Sequence, residues 1–234
     1  VNSRASGSRG SSGSRESRSR ESRSRDKTHD SQSRGERKEA TRQRIIAAAL
    51  RLLEDRSFSA LSMREVTREV GIVPAAFYRH FQSMEALGLA LIDESFRALR
   101  DGLRDARTDK VDPSRVIESS VDALIDNIGE QREHWRFISR ERNSGVTVLR
   151  YAIRSEIRLL TSELATDLAR FTGLHDWTTE DLNVLATLFV NAMIFIAEST
   201  EDAQNPAARE DLHRTAVKQL RMISLGIAGW RSTP

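Results

Sequence analysis

The chain has no cysteine in 234 residues. Disulfides, thiol nucleophiles, cysteine-based zinc sites and thiol redox sensing are therefore excluded, and the composition fits a reducing, cytoplasmic setting. Proline is scarce, with four residues, so helices can run long without interruption. Aromatic residues make up 6% of the chain, and most of them fall in a few short stretches. The longest apolar run, Val184–Ala197, covers about 14 residues, which we expect to be too short to span a bilayer; no membrane partner is expected. No metal-ligand spacing and no nucleophile–base–orienter order is present. We expect no catalytic residue, no metal and no cofactor.

Charge is distributed unevenly. Residues 1–35 carry +5, residues 36–82 carry +3, and residues 83–234 carry −5. Positive charge thus accompanies the first third of the chain, as a polyanionic partner would favour. The stretch 1–35 is Ser/Arg-rich, and within 1–33 only Val1 and Ala5 are apolar. Nothing there offsets the entropy of ordering, so it reads as a disordered tail. It lacks the apolar core of a signal peptide. A basic arm could add non-specific phosphate affinity, and its Ser-Arg repeats resemble RNA-binding arms; a dispensable extension explains the composition as well.

The apolar residues recur at helical spacing throughout, so the chain reads as all-α. Three domains are expected: the tail 1–35, a helix-turn-helix unit 36–82, and a helical ligand-binding and dimerisation domain 83–234. The first helix should run from about Glu36 to Glu54, with Ile45, Ala48, Ala49, Leu52 and Leu53 as its apolar stripe. Arg37, Thr41 and Arg42 crowd its first turns, where a phosphate would relieve the clash of positive charge with the helix dipole. Ser62 and Glu65 form a capping box, so a second helix should start at Met63. Gly71 falls where a helix ends in a left-handed residue, and Pro74 suits the first turn of a third helix.

Phe77 and Phe81 lie four apart and should face inward. Pro74, Ala75 and Ala76 are small enough for close approach to DNA and can touch thymine methyls. Tyr78 and His80 can reach phosphates, and Arg79 is the best candidate for a bidentate contact with guanine. Ser62, Arg64 and Thr67 complete the expected DNA-contacting set. This is the layout of a helix-turn-helix whose second helix enters a major groove.

Beyond it, Ser83 should cap a fourth helix reaching about Arg107, roughly 36 Å long at 1.5 Å per residue. Its expected stripe is Leu89, Ile92, Phe96, Leu99 and Leu103. Asp112-Pro113 should open a fifth helix that Gly129 ends. Residues 131–142 are dense in function-like residues. There, Trp135 and Phe137, with Phe189 from a later helix, could line a pocket for an apolar chain, and Arg140 and Arg142 could meet an anionic head group or act as a switch. Internal ion pairing with Glu141 is the plainer reading of the two arginines. His134 or His175 could serve an acyl-handling enzyme as a base, the remote alternative. A seventh helix should run from about Thr147 to Phe171. Thr178 with Asp181, and Asn205 with Pro206, should open the last two helices. Apolar all round, the first of these calls for a partner subunit, giving a homodimer through the last two helices.

The motifs Gly71-Ile72 and Phe77-Tyr78-Arg79-His80-Phe81, behind a basic first helix, resemble the TetR family of bacterial repressors. A narrower similarity joins Arg56-Ser57-Phe58, Arg64-Glu65-Val66, Leu87-Gly88-Leu89, Arg140-Glu141-Arg142 with Ser144-Gly145, and Leu220–Ser224 to the repressors of unsaturated fatty-acid synthesis and desaturation. The resemblance implies a non-enzymatic, cytoplasmic homodimer that binds double-stranded DNA at a palindromic operator. It implies modulation by a small hydrophobic ligand, a long-chain acyl-CoA, and control of fatty-acid synthesis or desaturation genes. A TetR-type repressor of an efflux or catabolic operon, answering to another hydrophobic ligand, is the alternative.

Overall fold

The computed structural model describes residues 35–108, 116–203 and 205–233. All regular structure among them is helical. Residues 35–52 form α1. A single 3₁₀ turn at Phe58–Ala60 precedes α2 (Met63–Val70) and α3 (Pro74–Phe77). Then come α4 (Met84–Thr108), α5 (Val116–Glu130), α6 (Arg132–Glu141), α7 (Thr147–Leu168), α8 (Thr179–Asp202) and α9 (Pro206–Gly229). Two compact units are distinguished, one ending at Ile45 and one starting at Ile46. That cut falls inside α1 and differs from the 82/83 boundary expected from the sequence.

Local chemistry accounts for most helix starts. The Ser62 side chain accepts from the Glu65 N–H while Glu65 reaches back to the Ser62 N–H at 3.0 Å, a complete capping box. Gly71 ends α2 at φ 74°, a left-handed conformation that glycine adopts without Cβ strain. Ser83 Oγ accepts from the Ala86 N–H at 3.1 Å and opens α4. Thr178 caps α8 through the Asp181 N–H, and Asn205 caps α9 through the Ala208 N–H. The expected Asp112-Pro113 start of α5 lies outside the described residues. Gly129 does not end that helix: α5 continues to Glu130, and α6 follows after Gln131 alone.

Several apolar stripes differ from expectation. In α1, Ile46 and Leu50 are buried beside Ala48, Ala49 and Leu53, while Leu52 is half-buried. On α4 the buried face is Leu87, Leu91, Ile92, Phe96 and Leu99; Leu89 points outward. One core cluster joins Val121, Leu124 and Ile128 of α5 to Ile196 of α8 and Ala216, Val217 and Leu220 of α9. A second joins Ala165 and Leu168 of α7 to Leu182, Leu185 and Ala186 of α8. Phe189 packs against both.

The length expected for the apolar eighth helix requires correction. It has 24 residues, and Thr179–Thr200 is long and apolar enough, by length and composition, to cross a membrane. The 14 residues are the apolar stretch Val184–Ala197, which Thr187 and Asn191 interrupt; polar turns at either end extend the same helix. It packs here against α7, α9 and α5. One face stays uncovered, with Val184, Leu188 and Phe195 all exposed; Met222 and Leu225 of α9 are exposed too.

Candidate DNA-reading surface and ligand pocket

The third helix is short. α3 is a single turn, Pro74–Phe77, and the chain then tightens through 3₁₀-type bonds from the Arg79 N–H to the Ala76 carbonyl and from the His80 N–H to the Phe77 carbonyl. Phe77 and Phe81 are buried with ring centroids 5.7 Å apart, and they anchor the turn. Tyr78 stands edge-on to Phe77 at 5.8 Å and is 58% exposed, which fixes its ring while leaving the hydroxyl outward. Pro74, Ala75 and Arg79 are exposed, and Ala76 and His80 are half-buried. Val73, absent from the expected set, is 67% exposed at the mouth of the turn. A β-branched residue immediately before the proline was the available signal, since proline holds its predecessor extended.

On α2, Arg64 and Arg68 are exposed, and neither side chain has an ion pair among the described residues. Thr67 is different. It is 2% exposed and its hydroxyl donates to the Arg64 carbonyl at 3.1 Å, so it cannot meet a base edge or a phosphate. Sequence spacing placed it on the outer face with Arg64; it belongs instead with Val66 and Val70 on the buried face of α2. Ser62 is exposed, but its hydroxyl is committed to Glu65 at 2.6 Å. In the first unit, Arg37 is exposed, its carbonyl accepts the Thr41 hydroxyl at 3.0 Å, and Arg42 lies 3.7 Å from Glu39.

Glu65 does more than cap. Its carboxyl is held down to about 2, first by the Ser62 hydroxyl, then by Arg56. Arg56 reaches Glu65 Oε1 at 2.7 Å while its Nε donates to the Leu52 carbonyl at 2.7 Å. The start of α2 is thereby linked to the end of α1.

The same helix end is gripped from the other side by α6. Arg140 Nη1 donates to the Leu53 and Arg56 carbonyls at 2.7 and 2.9 Å, and Nη2 to the Glu54 carbonyl at 3.1 Å. These carbonyls stand where a helix end leaves acceptors unsatisfied. Arg136 adds an ion pair to Glu54 at 3.0 Å. Glu141, only 1% exposed, accepts the Phe58 N–H at 2.8 Å. Arg140 therefore does not face a ligand as expected: it holds backbone more than eighty residues earlier in the chain. Gly88 marks how closely the parts fit. A Cβ there would lie 2.8 Å from Phe58 Cζ and 2.7 Å from Leu149 Cδ2.

The opposite face of α6 lines a pocket. Trp135, Ile138, Ser139 and Arg142 contribute to it, with Phe96 and Leu99 from α4, Ile157, Leu160 and Leu164 from α7, and α8 residues from Val190 to Glu198. It encloses about 750 Å³ counted out to solvent. The Trp135 indole N–H is fixed by Asn127 Oδ1 at 3.2 Å. Arg142 lines the pocket but is already paired, with Glu198 at 2.8 Å. Phe137 and Phe189, expected in the lining, are not part of it. Phe137 is 2% exposed and buried elsewhere, and Phe189 belongs to the two cores. His134 Nδ1 lies 2.9 Å from the buried Ser95 hydroxyl, and desolvation lowers the His134 pKa from its ordinary 6.5. Among the described residues no cluster could hold a metal ion.

Residues 45–91 match the family model described as bacterial regulatory proteins, tetR family. Residues 45–91 thus form a TetR-type N-terminal domain. The fold around it agrees. A TetR-like transcriptional regulator from Rhodococcus sp. RHA1 is 20% identical and superposes with a TM-score of 0.58 over 77% of this chain and 96% of its own. The TetR transcriptional regulator of Legionella pneumophila is 16% identical, with a TM-score of 0.56 over 75% and 94%. The fatty acid degradation regulator FadR of Bacillus halodurans is 13% identical, with a TM-score of 0.56 over 76% and 94%. At such identities the likeness establishes the TetR-like fold. The proteins bearing it here are regulators and not enzymes.

Proposed function

We propose that this protein is a homodimeric transcriptional repressor that binds a palindromic operator and is modulated by a small hydrophobic ligand, a long-chain acyl-CoA. The genes under its control would serve fatty-acid synthesis or desaturation. The observation that carries the regulatory part is α6. One face lines the apolar pocket, and the other holds the end of α1 and Phe58 through Arg140 and Glu141. A ligand that favours one position of α6 therefore biases the position of the DNA reader, by its differential affinity alone.

On the operator, Arg79 reads guanine, Val73, Pro74 and Ala75 touch thymine methyls, and Tyr78 and Arg64 hold phosphates. Arg37 and Arg42 near the start of α1 serve phosphate affinity. Dimerisation through α8 and α9 is supported by the exposed Val184, Leu188, Phe195, Met222 and Leu225, an apolar face of the kind that marks an interface. Two copies would set their readers about 34–36 Å apart, or a multiple of that. The acyl-CoA assignment is supported by the narrower sequence similarity, the apolar lining, and a TetR-like neighbour named as a fatty acid degradation regulator.

The test is operator selection from random duplexes, followed by gel shift with saturated and unsaturated acyl-CoAs. A palindromic site whose affinity changes with one acyl class is the expected result. A palindrome with no response to either class would remove the fatty-acid reading, leaving a TetR-type repressor with another hydrophobic ligand. No sequence-selective binding at all would remove the repressor reading.

A further inference from the structure

The pocket is apolar apart from one polar group in its wall, formed by Ser139, Arg142 and Glu198. Arg142 Nη2 donates to Glu198 Oε1 at 2.8 Å, and Ser139 Oγ donates to the same oxygen at 3.4 Å. The two charges offset each other before any ligand arrives. Further capacity remains on both sides: the second Glu198 oxygen and the other Arg142 N–H groups have no partner among the described residues. Side-chain exposure of 26% for Arg142 and 38% for Glu198 keeps them within reach of an entering molecule.

We infer that this pocket selects an apolar chain ending in an uncharged group that both accepts and donates hydrogen bonds, and rejects the same chain ending in a free carboxylate, with the Arg142–Glu198 pair as the selecting element. The inference rests on the ligand-regulated reading above and specifies the ligand's head group. A carboxamide meets the wall as it stands, its carbonyl accepting from Arg142 and its N–H donating to Glu198. A carboxylate can take the free Arg142 N–H groups but offers no donor to Glu198. Two anions would then share one guanidinium in an apolar cleft, where like charge and desolvation both oppose the second. Among the described residues no other arginine lines the pocket. Arg100, which lies over the Phe96 ring, is held by Glu156 at 2.7 Å and Glu163 at 3.4 Å. Arg140 is bound to carbonyls. Discrimination of this kind works through a built-in repulsion as much as through an attraction.

The experiment uses two probes with one chain, dodecanamide and dodecanoate, followed by Trp135 emission in a W177F/W230F background and by calorimetry. The full chain should bind the amide at least about ten-fold more tightly than the carboxylate, a difference that one lost ionic interaction readily supplies. Glu198→Gln keeps the shape and leaves Arg142 unpaired, so dodecanoate should gain and the ratio should collapse or invert. Glu198→Ala also removes the carboxylate and leaves Arg142 unpaired; it should shift the ratio the same way and serves if E198Q is poorly folded. Equal binding of the two probes, tighter binding of the carboxylate, or an unchanged ratio in E198Q would each overturn the inference. Binding of neither probe would overturn it too. A gel shift that still answers to acyl-CoA alongside any of these results would leave the acyl-CoA reading in place.

Discussion

The segment Ser62–Phe81 and the helix α6 treat their polar side chains in opposite ways. In the first, caps are local: Ser62 with Glu65, Thr67 with Arg64. Arg64, Arg68 and Arg79 are left without a side-chain partner among the described residues, and they face solvent. In α6 nearly every polar residue reaches a distant partner. His134 meets Ser95, Arg136 meets Glu54, Arg140 and Glu141 meet the backbone of 53–58, and Arg142 meets Glu198. Unpartnered cations suit a surface that a polyanion will complete. Distant, satisfied partners suit an element whose position other elements must follow. Under the proposed function the first region receives DNA and the second transmits the state of the pocket.

Breaking the anchor of the reader has the largest expected effect. Phe77→Ala removes a fully buried ring from beneath α3 and should cost about 3–5 kcal/mol in chemical denaturation, with loss of operator binding. The junction is next. Gly88→Ala drives a methyl against Phe58 and Leu149, both buried, and should cost about 1–3 kcal/mol as overpacking. A melting temperature equal to that of the wild type would contradict the close fit. On the open surface the effects should appear in binding and not in stability. Arg79→Ala should lose about 1–3 kcal/mol of discrimination at one base position. Tyr78→Phe should weaken all duplexes alike by about 0.5–1.5 kcal/mol; gel shifts with a set of point-mutated operators separate the two.

The smallest effect expected is the response to pH. His134 has a lowered pKa because it is desolvated, so its neutral form is the one the fold accommodates. Its contribution is present above the unfolded value of about 6.5 and is lost as pH falls below it. Glu65, held at about 2, behaves likewise at lower pH: its contribution is present above the ordinary carboxylate range and is lost progressively as pH falls from that range to about 2. Denaturation midpoints should therefore decline in two stages on acidification. In His134→Gln the upper stage should vanish.

How much of this was legible follows the same division. The capping box, the left-handed Gly71, Pro74 at the start of α3 and the caps at Ser83, Thr178 and Asn205 all lie within a few residues of their partners, so a linear reading reaches them. Thr67 escaped it because helical period gives a face without saying which way the helix is turned. Arg140 and Arg142 read as candidates for a head-group contact or a switch, with internal ion pairing the plainer reading, and nothing in the sequence tells their roles apart. Two residues apart, they point to opposite sides of α6, and their partners lie 87 and 56 residues away. Glu141, between them, looked like their ion-pair partner and instead takes the Phe58 N–H. Phe137 and Phe189 were chosen for the pocket by residue type, and packing between helices assigned both elsewhere.

The central claim, that α6 carries pocket occupancy to the DNA reader, is tested most directly by titrating operator affinity against acyl-CoA in the wild type and in Arg140→Ala. Direct acyl-CoA binding is measured on the same samples. The account predicts that the wild type changes operator affinity on saturation, while Arg140→Ala binds the ligand comparably and changes operator affinity little. An Arg140→Ala protein whose operator affinity follows the ligand as fully as the wild type would contradict it.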